Sequence, residues 1–155
     1  MMIKIGDRNI GKEFKPFIIA EMSGNHNQSL KRALELVEAA ADAGVDALKL
    51  QTYTPETITL DVRGGNFEIN DKDSLWEGKN LFDLYNEAHT PWSWHKEIMK
   101  KANDLGLICF SSPFDESAVD FLMELEVPAL KIASFENNHL PLIKYAAKTG
   151  KPLII

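Results

Sequence analysis

Short apolar runs alternate with stretches of helical periodicity along almost the whole chain. "MIKIG" and "NIGKEF" flank Asp7-Arg8 and predict a small β-hairpin. "PFIIAE" predicts a short buried strand. Leu30, Ala33, Leu34, Val37, Ala40 and Ala41 then recur at helical spacing, with Ser29 placed to cap that helix and Gly44 to end it. "DALKLQT" predicts a second strand. Thr90 suits an N-cap and Pro91 a first helical position. Trp94, Ile98, Ala102 and Leu105 follow on one face, and Gly106 stops the helix before a third strand, "LGLICFSS". Asp115 caps a helix with Ala118, Phe121, Leu122 and Leu125 on its apolar side. "PALKIAS" is a fourth strand. Pro141 opens another helix, Gly150 closes it, and "KPLII" begins a fifth strand.

This βαβ alternation predicts a parallel sheet with right-handed crossovers. Its strands are near-continuous apolar runs, as expected when both faces are covered. An open doubly wound sheet would want a glycine-rich phosphate loop after the first strand, and "EMSGNHNQS" has no G-x-G-x-x-G. A (β/α)8 barrel would place polar residues at the C-terminal ends of several strands. They occur at Glu21, Lys49-Gln51-Thr52, Ser111-Ser112 and Lys131-Ser134-Glu136. The expected fold class is therefore α/β, the N-terminal part of a TIM barrel with about five strands, since a whole barrel takes roughly 250 residues. The expected division is a hairpin over 1–14 and a partial barrel over 15–155, cut in strand five. The long connection 53–90 has helical spacing of its own at Leu81, Leu84, Tyr85 and Ala88, and long insertions after a strand usually serve a site.

Composition narrows the partners. Of 155 residues, 45% are hydrophobic and 26% charged, with 23 acidic against 17 basic residues and a formal net charge of −6. No basic tract marks a nucleic-acid or anionic-membrane surface, and no apolar run is long enough to span a bilayer. The N-terminus has no apolar signal core. A single cysteine, Cys109, excludes an internal disulfide and fits a reducing cytoplasm. Lying between Ile108 and Phe110, it reads as a packed small hydrophobe.

The strand ends carry the chemistry. Lys49 and Lys131 occupy matching contexts, "ALKLQT" and "ALKIAS", inside apolar strands where an unpaired ammonium is costly. Either alone reads equally well as a strand-end lysine paired with a structural acid. Two in parallel, with Ser111, Ser112 and Ser134 nearby in the fold, point to a cradle for phosphate or carboxylate. A Schiff-base lysine is the competing chemistry. Glu21 and Glu136 are candidates for acid–base work, against a plain reading as helix caps or lysine partners. His26, His89, His95 and His139 show no metal-binding spacing. The small residues after Glu21 are expected to leave room for substrate, and Trp76 is a packing residue or part of a sugar-binding wall.

"FIIAEMSGNHNQSLKRALELVEAAADAGVDALKLQTYTPETITL", "TPWSWHKEIMKKANDLGLICFSSPFD" and "ALKIASFENNHLPLIKYAAKTGKPLII" together resemble the sialic acid synthase family, N-acetylneuraminate synthase-like, nearest to its pseudaminic acid branch by "FSSPF", "KIASFE" and "LQTYTP". The resemblance implies a (β/α)8 barrel followed by a small antifreeze-like domain, working as a homodimer. It implies condensation of phosphoenolpyruvate with an acetamido sugar, assisted by a divalent metal (Mn2+, Mg2+ or Co2+) whose two histidine ligands lie beyond Ile155. Carried over, Lys49, Lys131, Ser134 and Ser112 are phosphoenolpyruvate ligands, Glu21 the carboxylate beside an activated water, and Glu136 a contact to the acceptor sugar. Asn25 and His26 match a family "NH" without an assigned role. Met22-Ser23-Gly24 departs from the family spelling. The expected acceptor is 2,4-diacetamido-2,4,6-trideoxy-altrose, with N-acetylmannosamine as the alternative. Residues 1–155 alone are expected to be an inactive fragment, or at most a scaffold binding phosphorylated ligands.

Overall fold

A computed structural model describes residues 3–155. The first two residues, of which Met2 opens the "MIKIG" arm of the expected hairpin, lie outside the described residues. The hairpin pairs β1 (Ile3–Ile5) with β2 (Arg8–Ile10), Ile5 opposite Arg8. Gly6 opens its two-residue loop at φ 59°, a left-handed conformation that such loops require. A Cβ at Gly6 would also sit 3.1 Å from the Ile108 side chain, so glycine permits close approach to the sheet.

The sheet is parallel, in the order β3 (Ile19–Glu21), β4 (Ala47–Thr52), β5 (Ile108–Pro113), β6 (Leu130–Lys131), β7 (Leu153–Ile154). Among the described residues, five helices of eight residues or more accompany it. They are α1 (Leu30–Asp42), α3 (Leu81–Ala88), α4 (Trp92–Asp104), α5 (Glu116–Glu124) and α6 (Leu140–Lys148). The 53–90 connection holds α3, the short α2 (Pro55–Ile58) and a 3-10 turn over Gly65–Phe67. Ser29 caps α1, and Asp115 accepts from the Ser117 and Ala118 amides at the start of α5. No helix among the described residues is long and apolar enough to cross a membrane.

Period-two alternation along the strands builds two apolar layers. Leu48, Leu50, Cys109, Leu130 and Ile132 face the helices and pack with Val37, Ile98, Leu122 and Leu142. Cys109 is the packed hydrophobe expected of it, and burial pushes its thiol up to about 12. Ala47, Phe110 and Ala129 face the opposite side, and Ile5 of the hairpin joins them there with Ile10, Ile19 and Ile108 packed around. The hairpin thus closes one end of the interior and leaves the C-terminal strand ends clear. Asp46 ties it in place. Its carboxylate accepts the Ile18 amide at 2.8 Å, and this bond first, with the Arg8 pairing second, holds it below the ordinary carboxylate range. A depressed carboxyl pKa stabilises the fold above the unfolded value near 3.8 and ceases to do so as pH falls through the folded value. Asp46→Asn is expected to cost about 1–3 kcal/mol at neutral pH. The deficit should vanish below the depressed pKa in denaturation curves taken across pH.

The start of α4 differs by one residue from the sequence reading. Pro91 occupies the N-cap position, and Thr90 is buried with its hydroxyl accepting from His26 Nε2 at 3.0 Å. The hydroxyl that suits a cap is engaged by a tertiary partner instead.

Candidate active site

The C-terminal ends of β3 to β6 turn Glu21, Lys49, Ser112 and Lys131 to the interior side. Glu21 is in register with Lys49, and Lys49 with Phe110 of the interior layer. Lys49 is buried, whereas the Glu21 side chain is about half exposed, and Lys49 Nζ lies 3.2 Å from Glu21 Oε1. Burial pushes the Lys49 ammonium below its ordinary range; Glu21 opposes that shift and the nearby charge of Lys131 adds to it. Two cations thus share one corner in which Glu21 is the carboxylate in contact with Lys49, an arrangement suited to an anionic ligand.

The two serines of β5 separate. Ser112 has the parity of Phe110 and faces inward, in register with Gln51. Its hydroxyl is fully buried and has no hydrogen-bond partner among the described residues. Buried polar atoms are normally paired, so this one points to a ligand group. Ser111, expected in the same cradle, faces the helices. There its hydroxyl lies 2.6 Å from Thr52 Oγ1, which lies 2.9 Å from His95 Nε2. His95 Nδ1 meets the Pro91 carbonyl at 3.3 Å and so carries the proton; the donors therefore run Ser111 to Thr52 to His95 to Pro91. Burial drives His95 down to about 4, so the imidazole stays neutral. Thr52→Val would strand two buried polar groups and is expected to destabilise by about 1–3 kcal/mol, with Thr52→Ser restoring the melting temperature.

Beyond β6, Ser134 and Glu136 lie in a 3-10 turn. Ser134 is exposed. Glu136 is partly buried, its Oε2 has no partner among the described residues, and burial raises its pKa, partly offset by Lys131.

The loop after Glu21 packs against the long connection. Gly24 abuts Ala88 at the end of α3, where a Cβ would come 2.9 Å from the Ala88 carbonyl oxygen, so the space its small neighbours border lies beside α3 and not beside Lys49. Gln28 donates to the Glu87 and His89 carbonyls at 2.9 and 2.7 Å, and His26 is fully buried, edge-on to Trp94. His26, through Thr90, and Gln28 anchor the long connection. Asn25 Nδ2 donates to the Met22 carbonyl in a local turn. Trp76 is half exposed and lines a cleft of about 360 Å³ with Ser23, Asn25, Asn27 and Leu84, whose lining includes none of Lys49, Ser112 or Lys131.

Sequence reasoning passed over Tyr53 and Phe114. They continue the inward alternation 47-49-51 and 108-110-112, and extending it past the strand ends would have found them. Tyr85 arrives from α3, and no local pattern announces that. Among the described residues no three His, Cys, Asp or Glu side chains gather as a metal site, so these residues do not by themselves fit a metal.

A family model described as the NeuB family matches residues 36–155. The chain belongs to the NeuB family. Pseudaminic acid synthase from Campylobacter jejuni subsp. jejuni serotype O:2 is 45% identical over 153 residues, covering 99% of this chain and 43% of that protein. Pseudaminic acid synthase from Helicobacter pylori is 46% identical over 140 residues, covering 90% of this chain and 41% of that one. The crystal structure of N-acetylneuraminic acid (sialic acid) synthetase from Leptospira borgpetersenii serovar Hardjo-bovis superposes with a TM-score of 0.82 at 27% identity, covering 99% of this chain and 48% of that chain. This NeuB chain spans less than half the length of the curated relatives it matches. Its parallel sheet is the N-terminal part of a (β/α)8 barrel, as the strand pattern predicted.

Proposed function

We propose that the full-length protein containing this chain condenses phosphoenolpyruvate with an acetamido sugar to give a nonulosonic acid and phosphate. The observation that carries this reading is the buried Lys49 ammonium, paired with exposed Glu21 and set beside Lys131 and the partnerless Ser112 hydroxyl. A small ligand bearing both carboxylate and phosphate matches that set. Ser134 and Glu136 stand next along the rim as further contacts, Glu136 toward the acceptor. The 44–46% identity to pseudaminic acid synthases favours 2,4-diacetamido-2,4,6-trideoxy-altrose over N-acetylmannosamine.

The chemistry follows from the charges. The methylene carbon of phosphoenolpyruvate attacks the aldehyde carbon of the open-chain sugar, and the aldehyde oxygen takes a proton from solvent water. The carbon bearing phosphate becomes an oxocarbenium ion. Water adds there while Glu21 takes its proton. The tetrahedral centre then breaks its bond to the phosphate oxygen, leaving a keto acid and inorganic phosphate. Lys49 and Lys131 hold the substrate's negative charge throughout in a preorganised, largely buried setting.

Phosphate release should require phosphoenolpyruvate and sugar together in the full-length protein, and residues 1–155 alone should show none. Failure of the full-length protein to release phosphate with any acetamido sugar overturns the reading. The lowered Lys49 pKa favours one rival, a Schiff-base aldolase. Borohydride reduction in the presence of substrate should leave Lys49 unmodified; a covalent adduct on it establishes the rival.

A further inference from the structure

The condensation proposed above makes no use of an aromatic lip at the mouth of the anion corner. Tyr53 and Phe114 are the next same-parity residues above Gln51 and Ser112. Both are buried and their rings meet edge to face at 5.3 Å. Trp92 Nε1 donates to the Tyr53 carbonyl at 3.3 Å and fixes the backbone there. Tyr85, half-buried on α3, meets the Tyr53 ring at 5.7 Å, also edge to face. It lies within electrostatic reach of Glu136, whose charge, after burial, raises the Tyr85 pKa. Burial pushes Tyr53 up to about 12. Both phenols therefore stay neutral at physiological pH and present uncharged rings.

A ligand whose charged end rests on Lys49, Lys131 and Ser112 extends outward past Gln51 and meets this lip next. Glu136 offers it an acceptor atom on one side, and the rings offer an apolar wall on the other. We propose that Tyr85 is a specificity-determining residue, its ring seated on Tyr53 and packing against the methyl-bearing face of the acceptor sugar. This rests on the condensation reading and deepens it. An acceptor with two acetamido methyls and a deoxy methyl gains from such a wall, and a hydroxyl-rich sugar of similar size does not. Differences of one methyl-sized group in an apolar pocket discriminate by about 10–200-fold.

The test uses the full-length protein and measures kcat/KM for the diacetamido-trideoxy sugar and for N-acetylmannosamine, with KM for phosphoenolpyruvate in parallel. Tyr85→Ala is expected to raise KM for the diacetamido sugar about tenfold or more and to shrink the preference over N-acetylmannosamine. KM for phosphoenolpyruvate should stay within about twofold, as uniform binding at the other subsite is untouched. Tyr85→Phe should behave as the parent, because the ring and not the hydroxyl does the packing. Tyr85→Leu keeps bulk over Tyr53 if the alanine variant folds poorly, and it should move the preference in the same direction. An active parent whose Tyr85→Leu variant keeps its sugar preference, or whose two KM values rise together in Tyr85→Ala, overturns the role of Tyr85 alone. A parent that turns over neither sugar overturns the condensation reading and this inference with it.

Discussion

Lys49→Met in the full-length protein is expected to lower kcat/KM for phosphoenolpyruvate by about 10²–10³-fold, the loss seen when one preorganised electrostatic contact is removed from a transition state. The same substitution should leave the melting temperature unchanged or raise it. Lys49 is only 3% exposed, so its ammonium has given up most of its hydration. The single close carboxylate, Glu21, is itself about half exposed and returns only a partly screened attraction. Lys131 adds like-charge repulsion. Methionine keeps the length and apolar character of the stem beside Phe110 and leaves Glu21 free to be hydrated. Replacing buried charge with matched apolar volume is often neutral or stabilising. Activity and stability therefore move in opposite directions, the pattern of a residue kept for function. A drop in melting temperature with undiminished activity would make Lys49 a structural residue.

Glu21→Gln should cut turnover by about 10²–10⁴-fold, the range for loss of a general base. The amide keeps the size of the side chain and can still accept from Lys49 Nζ, so KM for phosphoenolpyruvate should change little. The effect belongs in kcat because the proton leaves water only in the step that forms the tetrahedral centre. The variant also separates the two chemistries. Without the Glu21 charge, the shift that burial imposes on Lys49 is opposed less, and the free amine becomes more abundant. A Schiff-base enzyme would then trap more readily with borohydride, whereas the condensing enzyme simply slows. Near-normal turnover in Glu21→Gln removes Glu21 from the mechanism.

Much of the architecture was legible because its signals are local and redundant. Period-two apolar runs, helical stripes, Ser29 and Asp115 as caps, and Gly44, Gly106 and Gly150 as stops all agree with one another, and consistency of that kind specifies a fold. The matching contexts of Lys49 and Lys131 carried the candidate site for the same reason. What failed to show depended on contacts between distant segments. "SS" at 111–112 gives two hydroxyls of opposite parity, and only the register with β4 shows that Ser112 faces the lysines while Ser111 turns to Thr52 and His95. Thr90 looked like a cap until His26, 64 residues earlier, took its hydroxyl. The glycine and small polar residues after Glu21 looked like space beside the lysines, but Gly24 meets Ala88 and the cleft its neighbours line opens beside Trp76 and Leu84. Tyr85 belongs to an excursion whose helical pattern gives its existence and not its landing place on Tyr53.

In the proposed reaction phosphoenolpyruvate is attacked by water at carbon beside Glu21 and loses phosphate with its bridging oxygen. Phosphoenolpyruvate carrying heavy oxygen at that bridge tests it most directly, incubated with the full-length protein and the diacetamido-trideoxy sugar. Inorganic phosphate is expected to retain the heavy oxygen and to appear only when the sugar is present. Unlabelled phosphate, the mark of cleavage between phosphorus and oxygen, would contradict it, as would phosphate released at the same rate without sugar.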